Sequence, residues 1–120
     1  MKEKIISVNA DGDICFEDEV LLREYVAEEM HKIVKCAVVS ECRMRWLRLA
    51  LLCERQGLER EAVDCFRDAL WGVVQLKKGT EEYDICHQAY DGLSRLYNSE
   101  DEYVWETASQ AIYDAKDLFT

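Results

Sequence analysis

The sequence predicts an all-α domain, about five helices paired as stacked antiparallel hairpins, with a short β-hairpin or extended arm at the N-terminus. Three observations predict it. Apolar residues recur at intervals of three and four along most of the chain, the spacing that lines one face of a helix. Proline is absent and glycine occurs five times, too few breaks for a many-turned β fold. With 120 residues, 49% of them hydrophobic, the chain is about one domain and can bury a core without metals or disulfides.

Residues 1–17 lack the helical pattern. Ile6 and Val8 alternate with polar neighbours, as do Ile14 and Phe16, and Asn9-Ala10-Asp11-Gly12-Asp13 lies between them. Asp-Gly between alternating apolar runs is a hairpin signal. Asp11 and Asp13 beside Gly12 begin a calcium-loop pattern, but its ligand series stops there, which favours a turn. A capping helix is expected within residues 18–40, from Asp18 to about Val38. Asp18 suits the N-cap and Glu19 the first turn, and Leu22, Val26, Met30, Ile33 and Ala37 follow along one face. Ser40 is the expected N-cap of the next helix. No Gly or Pro separates the two, so one long bent helix is the alternative.

Residues 41–76 read as the first full hairpin, with helices over 41–56 and 59–76. Trp46, Leu49, Ala50 and Cys53 fall at i, i+3, i+4 and i+7; Ala62, Phe66, Ala69, Leu70 and Val73 continue the spacing beyond Gly57. Glycine accepts the left-handed conformation that ends a helix, and so short a link folds the second helix back on the first. Alanines opposite Trp46 and Phe66 let the two backbones approach while an aromatic ring fills the gap. Lys77-Lys78-Gly79-Thr80 marks a boundary: lysines suit a helix C-terminus, Gly79 the position after it, and Thr80 an N-cap. A second hairpin is expected over 80–119, with helices over 81–98 and 102–118 about a turn at Ser99-Glu100-Asp101. Tyr90, Leu93, Ser94 and Tyr97 are expected to face the core from one helix, and Ala108, Ile112 and Ala115 from the other.

The spacing of the central hairpin resembles the tetratricopeptide repeat (TPR), a helix–turn–helix unit of about 34 residues. Trp46 takes the early aromatic position, Leu49 the leucine, Ala50 the small residue and Gly57 the turn. Ala62, Phe66 and Ala69 take the small–aromatic–small series. Cys53 stands where a tyrosine is usual, and Val74 near the position of the terminal proline. The second hairpin resembles the same unit with a turn two residues longer, since Ala50 to Ala62 spans 12 residues and Ser94 to Ala108 spans 14. The resemblance implies two and a half repeats in a short right-handed array that binds partners on a concave face lined by the first helix of each pair. By position, that face comprises Met44, Leu47, Leu51 and Glu54 in the first unit and Gln88, Asp91, Arg95 and Asn98 in the second. The apolar trio either holds a ligand or is covered by the N-terminal segment; covering is favoured, because large open apolar patches are uncommon. The polar four form the candidate partner site, able to hydrogen-bond a peptide backbone or a carboxylate.

Net charge is −10, distributed as −4 over residues 1–40, +2 over 41–80 and −8 over 81–120. Such a chain is poorly suited to binding nucleic acid through phosphates. Arg43, Arg45 and Arg48 flank Trp46, but surface pairing with Glu41 or Glu54 accounts for them better than RNA contact. No apolar run approaches the roughly 20 residues of a membrane span. The six cysteines include no CxxC, and His31 and His87 lie far apart, so no metal site or cofactor is expected. The expected state is reduced thiols in a cytoplasm. Cys86 and His87 are adjacent, but neighbours on a helix diverge by about 100°, so they do not read as a thiolate–imidazole pair. Phosphate loops, HExxH and GxSxG are absent, and no catalytic residue is expected. The expectation is a non-enzymatic module binding a protein or peptide, as adaptor, chaperone or regulator. Its rival is an acidic inhibitor that mimics nucleic acid in the basic cleft of a nucleic-acid enzyme. Self-association into a homo-oligomer is the third reading.

Overall fold

The computed structural model describes residues 7–8, 14–15, 19–35 and 39–119, with side chains over 20–35 and 41–119. Among the described residues there are five α-helices: α1 (Glu19–Val34), α2 (Val39–Arg55), α3 (Glu59–Ala69), α4 (Glu81–Leu96) and α5 (Glu102–Ala115), followed by a 3-10 turn, Lys116–Phe119. The expected arm over 1–17 lies largely outside the described residues. Of it, the backbone of Ser7–Val8 pairs antiparallel with Ile14–Cys15. Asp18, as N-cap of α1, also lies outside them.

Leu22, Val26 and Ile33 of α1 are buried and Met30 partly so, on the predicted face; Ala37 lies outside the described residues. The first helix ends at Val34 and the next begins at Val39, so the single bent helix does not form. Ser40 stands inside α2 instead of capping it.

The link from α2 to α3 is closed by backbone geometry. Gly57 adopts φ 82°. The N–H of Leu58 donates to Cys53 O at 2.8 Å and that of Gly57 to Glu54 O at 3.2 Å, which satisfies two carbonyls that the helix end would leave bare. Leu58 then turns into the core, 3% exposed. With only three residues between the helices, α3 folds back along α2.

α3 is central: it packs on α2, α4 and α5, while α2 also meets α1 and α4. Ala62, Phe66 and Ala69 are fully buried, as predicted, with Ala50 and Cys53 opposite on α2. Trp46 is partly buried against the same core.

Three expectations are corrected. α3 ends at Ala69 and not near Leu76. Leu70 is its C-cap, and Gly72 follows at φ 76°. Gly79 therefore does not close α3; it precedes Thr80, whose hydroxyl accepts from Tyr83 N at 3.2 Å as the predicted N-cap of α4. The core face of α4 is also rotated from the expected one. Ile85, Cys86, Ala89, Gly92, Leu93 and Leu96 are buried, whereas Ser94 and Tyr97 are exposed. Gly92 explains the rotation. A Cβ there would stand 2.3–2.6 Å from three ring atoms of Phe66, so the ring lies flat against a stretch of helix with no side chain. Finally, α5 gives way to the 3-10 turn at Lys116, which sets Phe119 against Tyr90 (ring centroids 4.8 Å), Tyr83 and His87.

Candidate binding site

Two surfaces have the chemistry of a binding site. The first is the predicted polar row. Gln88, Asp91, Arg95 and Asn98 are all exposed on α4. Arg95 is not idle: its guanidinium grips Glu54 of α2 with two bonds of 2.8 Å, a fork-to-fork pair. Asp91 lies 3.4 Å from His87 Nδ1, one turn earlier. The row is thus joined to α2 at Glu54 and leaves two amides at Gln88 and Asn98. Of the apolar trio on α2, Leu47 is buried and Met44 and Leu51 pack partly buried on the core, with α1 against the same helix.

Other ties across the hairpins run along the outside. Arg60 pairs with Asp101 at 2.8 Å, and Asp101 also caps α5 by accepting from Tyr103 N. The Tyr103 hydroxyl donates to Asp64 at 2.7 Å, and the Ser99 hydroxyl to Glu59 at 2.6 Å. Exposed pairs of this kind contribute little energy each, but together they hold one helix register.

The second surface is a cleft where α1, α2 and the end of α3 meet, of about 540 Å³. Ile33, Val34 and Trp46 supply apolar walls and Trp71 stands at its edge. Arg43 and Asp68 are the charged groups lining it. Arg43 is 7% exposed, the one buried charged side chain among the described residues. It does not serve as a surface partner for Glu41 or Glu54. Its Nη1 donates to the carbonyls of Ala69 (3.0 Å) and Trp71 (2.8 Å), the bare C-terminal end of α3, where a cation also suits the helix dipole. Its Nε lies 3.3 Å from Glu82 Oε2 but without the alignment of a hydrogen bond, so that N–H is buried and unpaired. The contact is Coulombic. Burial raises the Asp68 carboxyl above the ordinary carboxylate range, and the neighbouring Arg67 offsets part of this. Trp71, Val34 and Val74 are 80%, 72% and 90% exposed.

The sequence carried a signal for Arg43 that the reading of Trp46 and its arginines missed. Arg43, Leu47 and Ala50 stand at i, i+4 and i+7, so Arg43 lies on the buried stripe. Trp71 was hidden because residues 70–76 read as helix.

Cys86 is buried and its thiol is pushed up to about 11 by burial, whereas His87 is exposed, so the two point to different environments. Cys65, fully buried beside Cys53, is also raised, by their mutual hydrogen bond and by burial. Among the described residues no three His, Cys, Asp or Glu side chains are grouped to hold a metal ion, and no helix is long and apolar enough to cross a membrane. No protein-family model, curated protein or solved structure matches the chain.

Proposed function

We propose that the chain is a non-enzymatic protein- or peptide-binding module of the helical-repeat kind, similar to the tetratricopeptide repeat, working in a cytoplasm as adaptor, chaperone or regulator. The observation that carries this reading is the α4 row. Four polar side chains stand exposed on one stripe, and the Glu54–Arg95 fork holds that stripe beside the first helix of the preceding hairpin. Two such helices side by side offer a peptide both amide hydrogen bonds and fixed charge. The buried Ala50, Ala62, Phe66 and Ala69 support the likeness to the repeat. In this reading residues 1–40 cap the open end of the array.

The nucleic-acid mimic is the weaker reading. It requires an uninterrupted row of free carboxylates, yet Asp101 is held by Arg60, Asp91 faces His87 and Glu82 lies against Arg43.

The test is a pull-down from native lysate with mass spectrometry, comparing wild type with Arg95→Glu and Asn98→Lys. The first also sets two carboxylates against each other at Glu54; the second leaves that pair intact. Both variants are expected to lose the main partner. Its full retention by both would remove the row from the account.

A further inference from the structure

Among the described residues, no helix covers the outer face of α5. The helix buries Val104, Ala108, Ala111 and Ala115 on its inner side, where it packs on α3 and α4. The opposite stripe is Glu102, Glu106, Ser109 and Tyr113, at i, i+4, i+7 and i+11. Trp105 stands at its edge, 42% exposed, with the Tyr97 ring of α4 beside it at 6.1 Å between centroids. A groove of about 580 Å³ passes over Trp105, Glu106 and Ser109.

The rings of α5 already attract cations. Lys116 Nζ lies 4.7 Å from the centroid of Tyr113, and the Arg60 guanidinium 5.6 Å from that of Tyr103. Tryptophan presents the best ring face for a cation, yet among the described residues none lies over Trp105. The neighbouring carboxylates divide in the same way. Asp101 is held by Arg60, Asp64 by Tyr103 and Asp114 by Gln110. Glu102 and Glu106 are exposed and have no ion-pair partner among the described residues. They stand at i and i+4, a like-charge pair that weakens a helix until a cation answers it. α5 itself contains no lysine or arginine.

Charge selects the occupant. Residues 81–120 sum to −8, which repels nucleic acid and an anionic membrane surface, and a second copy brings its own −10. A basic polypeptide is attracted. Arginine suits the face better than lysine, because a planar guanidinium stacks on an indole while its N–H fork reaches a carboxylate. We propose that the outer face of α5 docks an arginine-bearing basic stretch of a partner polypeptide, with guanidinium groups stacked on Trp105 and paired with Glu102 and Glu106. This face shares no residue with the α4 row, and the proposal stands whether or not that row binds.

The test titrates an acetylated, amidated tetra-arginine peptide into the full chain by calorimetry at low salt, with tetra-lysine as the comparison. Tetra-arginine is expected to bind several-fold tighter than tetra-lysine. Trp105→Ser, which leaves the charge unchanged, should weaken it about fivefold. Glu102→Gln combined with Glu106→Gln should weaken it about tenfold, each variant keeping the wild-type circular dichroism. Glu81→Gln combined with Asp84→Asn removes the same charge from two exposed positions in the first turn of α4 and should change binding less than about twofold. Equal losses in the two double variants, or full binding by Trp105→Ser, would reduce the attraction to net charge and overturn the proposal. Absence of tetra-arginine binding would overturn it too. A wild-type dimer in sedimentation that Trp105→Ser dissociates would give the face to a second copy of the chain, with the same consequence.

Discussion

Gly92 shows how one missing side chain sets the rotation of a helix. Phe66 can be fully buried only because α4 presents bare backbone where its ring lies. Gly92→Ala should therefore cost about 2 kcal/mol, measured by urea unfolding, even though alanine gains roughly 1 kcal/mol over glycine in a helix. Adding Phe66→Leu should recover part of the loss, since the smaller side chain vacates the clash. Asp68 has the opposite sense. Its folded pKa is raised by burial, so ionisation destabilises the native state as pH rises from the ordinary carboxylate range, near 3.8, through the raised value. Asp68→Asn should stabilise the protein at pH 7, and the gain should vanish as pH falls below that range. A gain independent of pH would contradict the assignment. The buried thiols follow the same logic: Cys53, Cys65 and Cys86 are fully buried, with Cys65 and Cys86 shifted up. A native sample should take up at least three fewer equivalents of a thiol reagent than the six it takes up when denatured.

At the scale of elements, the ends of α3 divide what local chemistry dictates from what neighbours dictate. Its start follows from Gly57 and the two backbone bonds around it, all local, and it was legible in the sequence. Its end was not. Residues 70–76 continue an apolar pattern, and no proline stops them, but Arg43 reaches from α2, 26 and 28 residues earlier, to bind the carbonyls of Ala69 and Trp71. Gly72 at φ 76°, behind the C-cap Leu70, is the local stop that the apolar pattern masked. The long-range hydrogen bonds from Arg43 pair the carbonyls left there, which periodicity cannot show. Arg43→Ala should cost about 3 kcal/mol, because two carbonyls lose a charged donor and Glu82 its cation. Thermal unfolding should show this, with Arg45→Ala, an exposed neighbour, near neutral. The rotated face of α4 has a similar origin. Tyr90, Leu93, Ser94 and Tyr97 keep helical spacing, but tyrosine hydroxyls favour the rim, and Phe66 on another helix chose Gly92.

At the scale of the molecule, α3 touches both hairpins, and ties some 40 residues apart in sequence run from Glu54, Arg60 and Asp64 to Arg95, Asp101 and Tyr103. The hairpins should therefore unfold together. Trp46 and Trp71 report on the first and Trp105 on the second, so single-tryptophan variants give separate probes. Their urea midpoints should coincide with that from circular dichroism; distinct midpoints would mean that the hairpins melt independently. The sequence by itself determined the helical class, the hairpin at Gly57, the N-cap at Thr80 and the buried Ala50, Ala62, Phe66 and Ala69, because periodicity and capping act within a few residues. Only the tertiary structure decided that Arg43 pairs the carbonyls at the end of α3, that α4 turns Gly92 inward, and that Arg43 and Asp68 face one cleft. Each of those depends on a side chain from a distant helix, and no local spacing encodes where that side chain arrives.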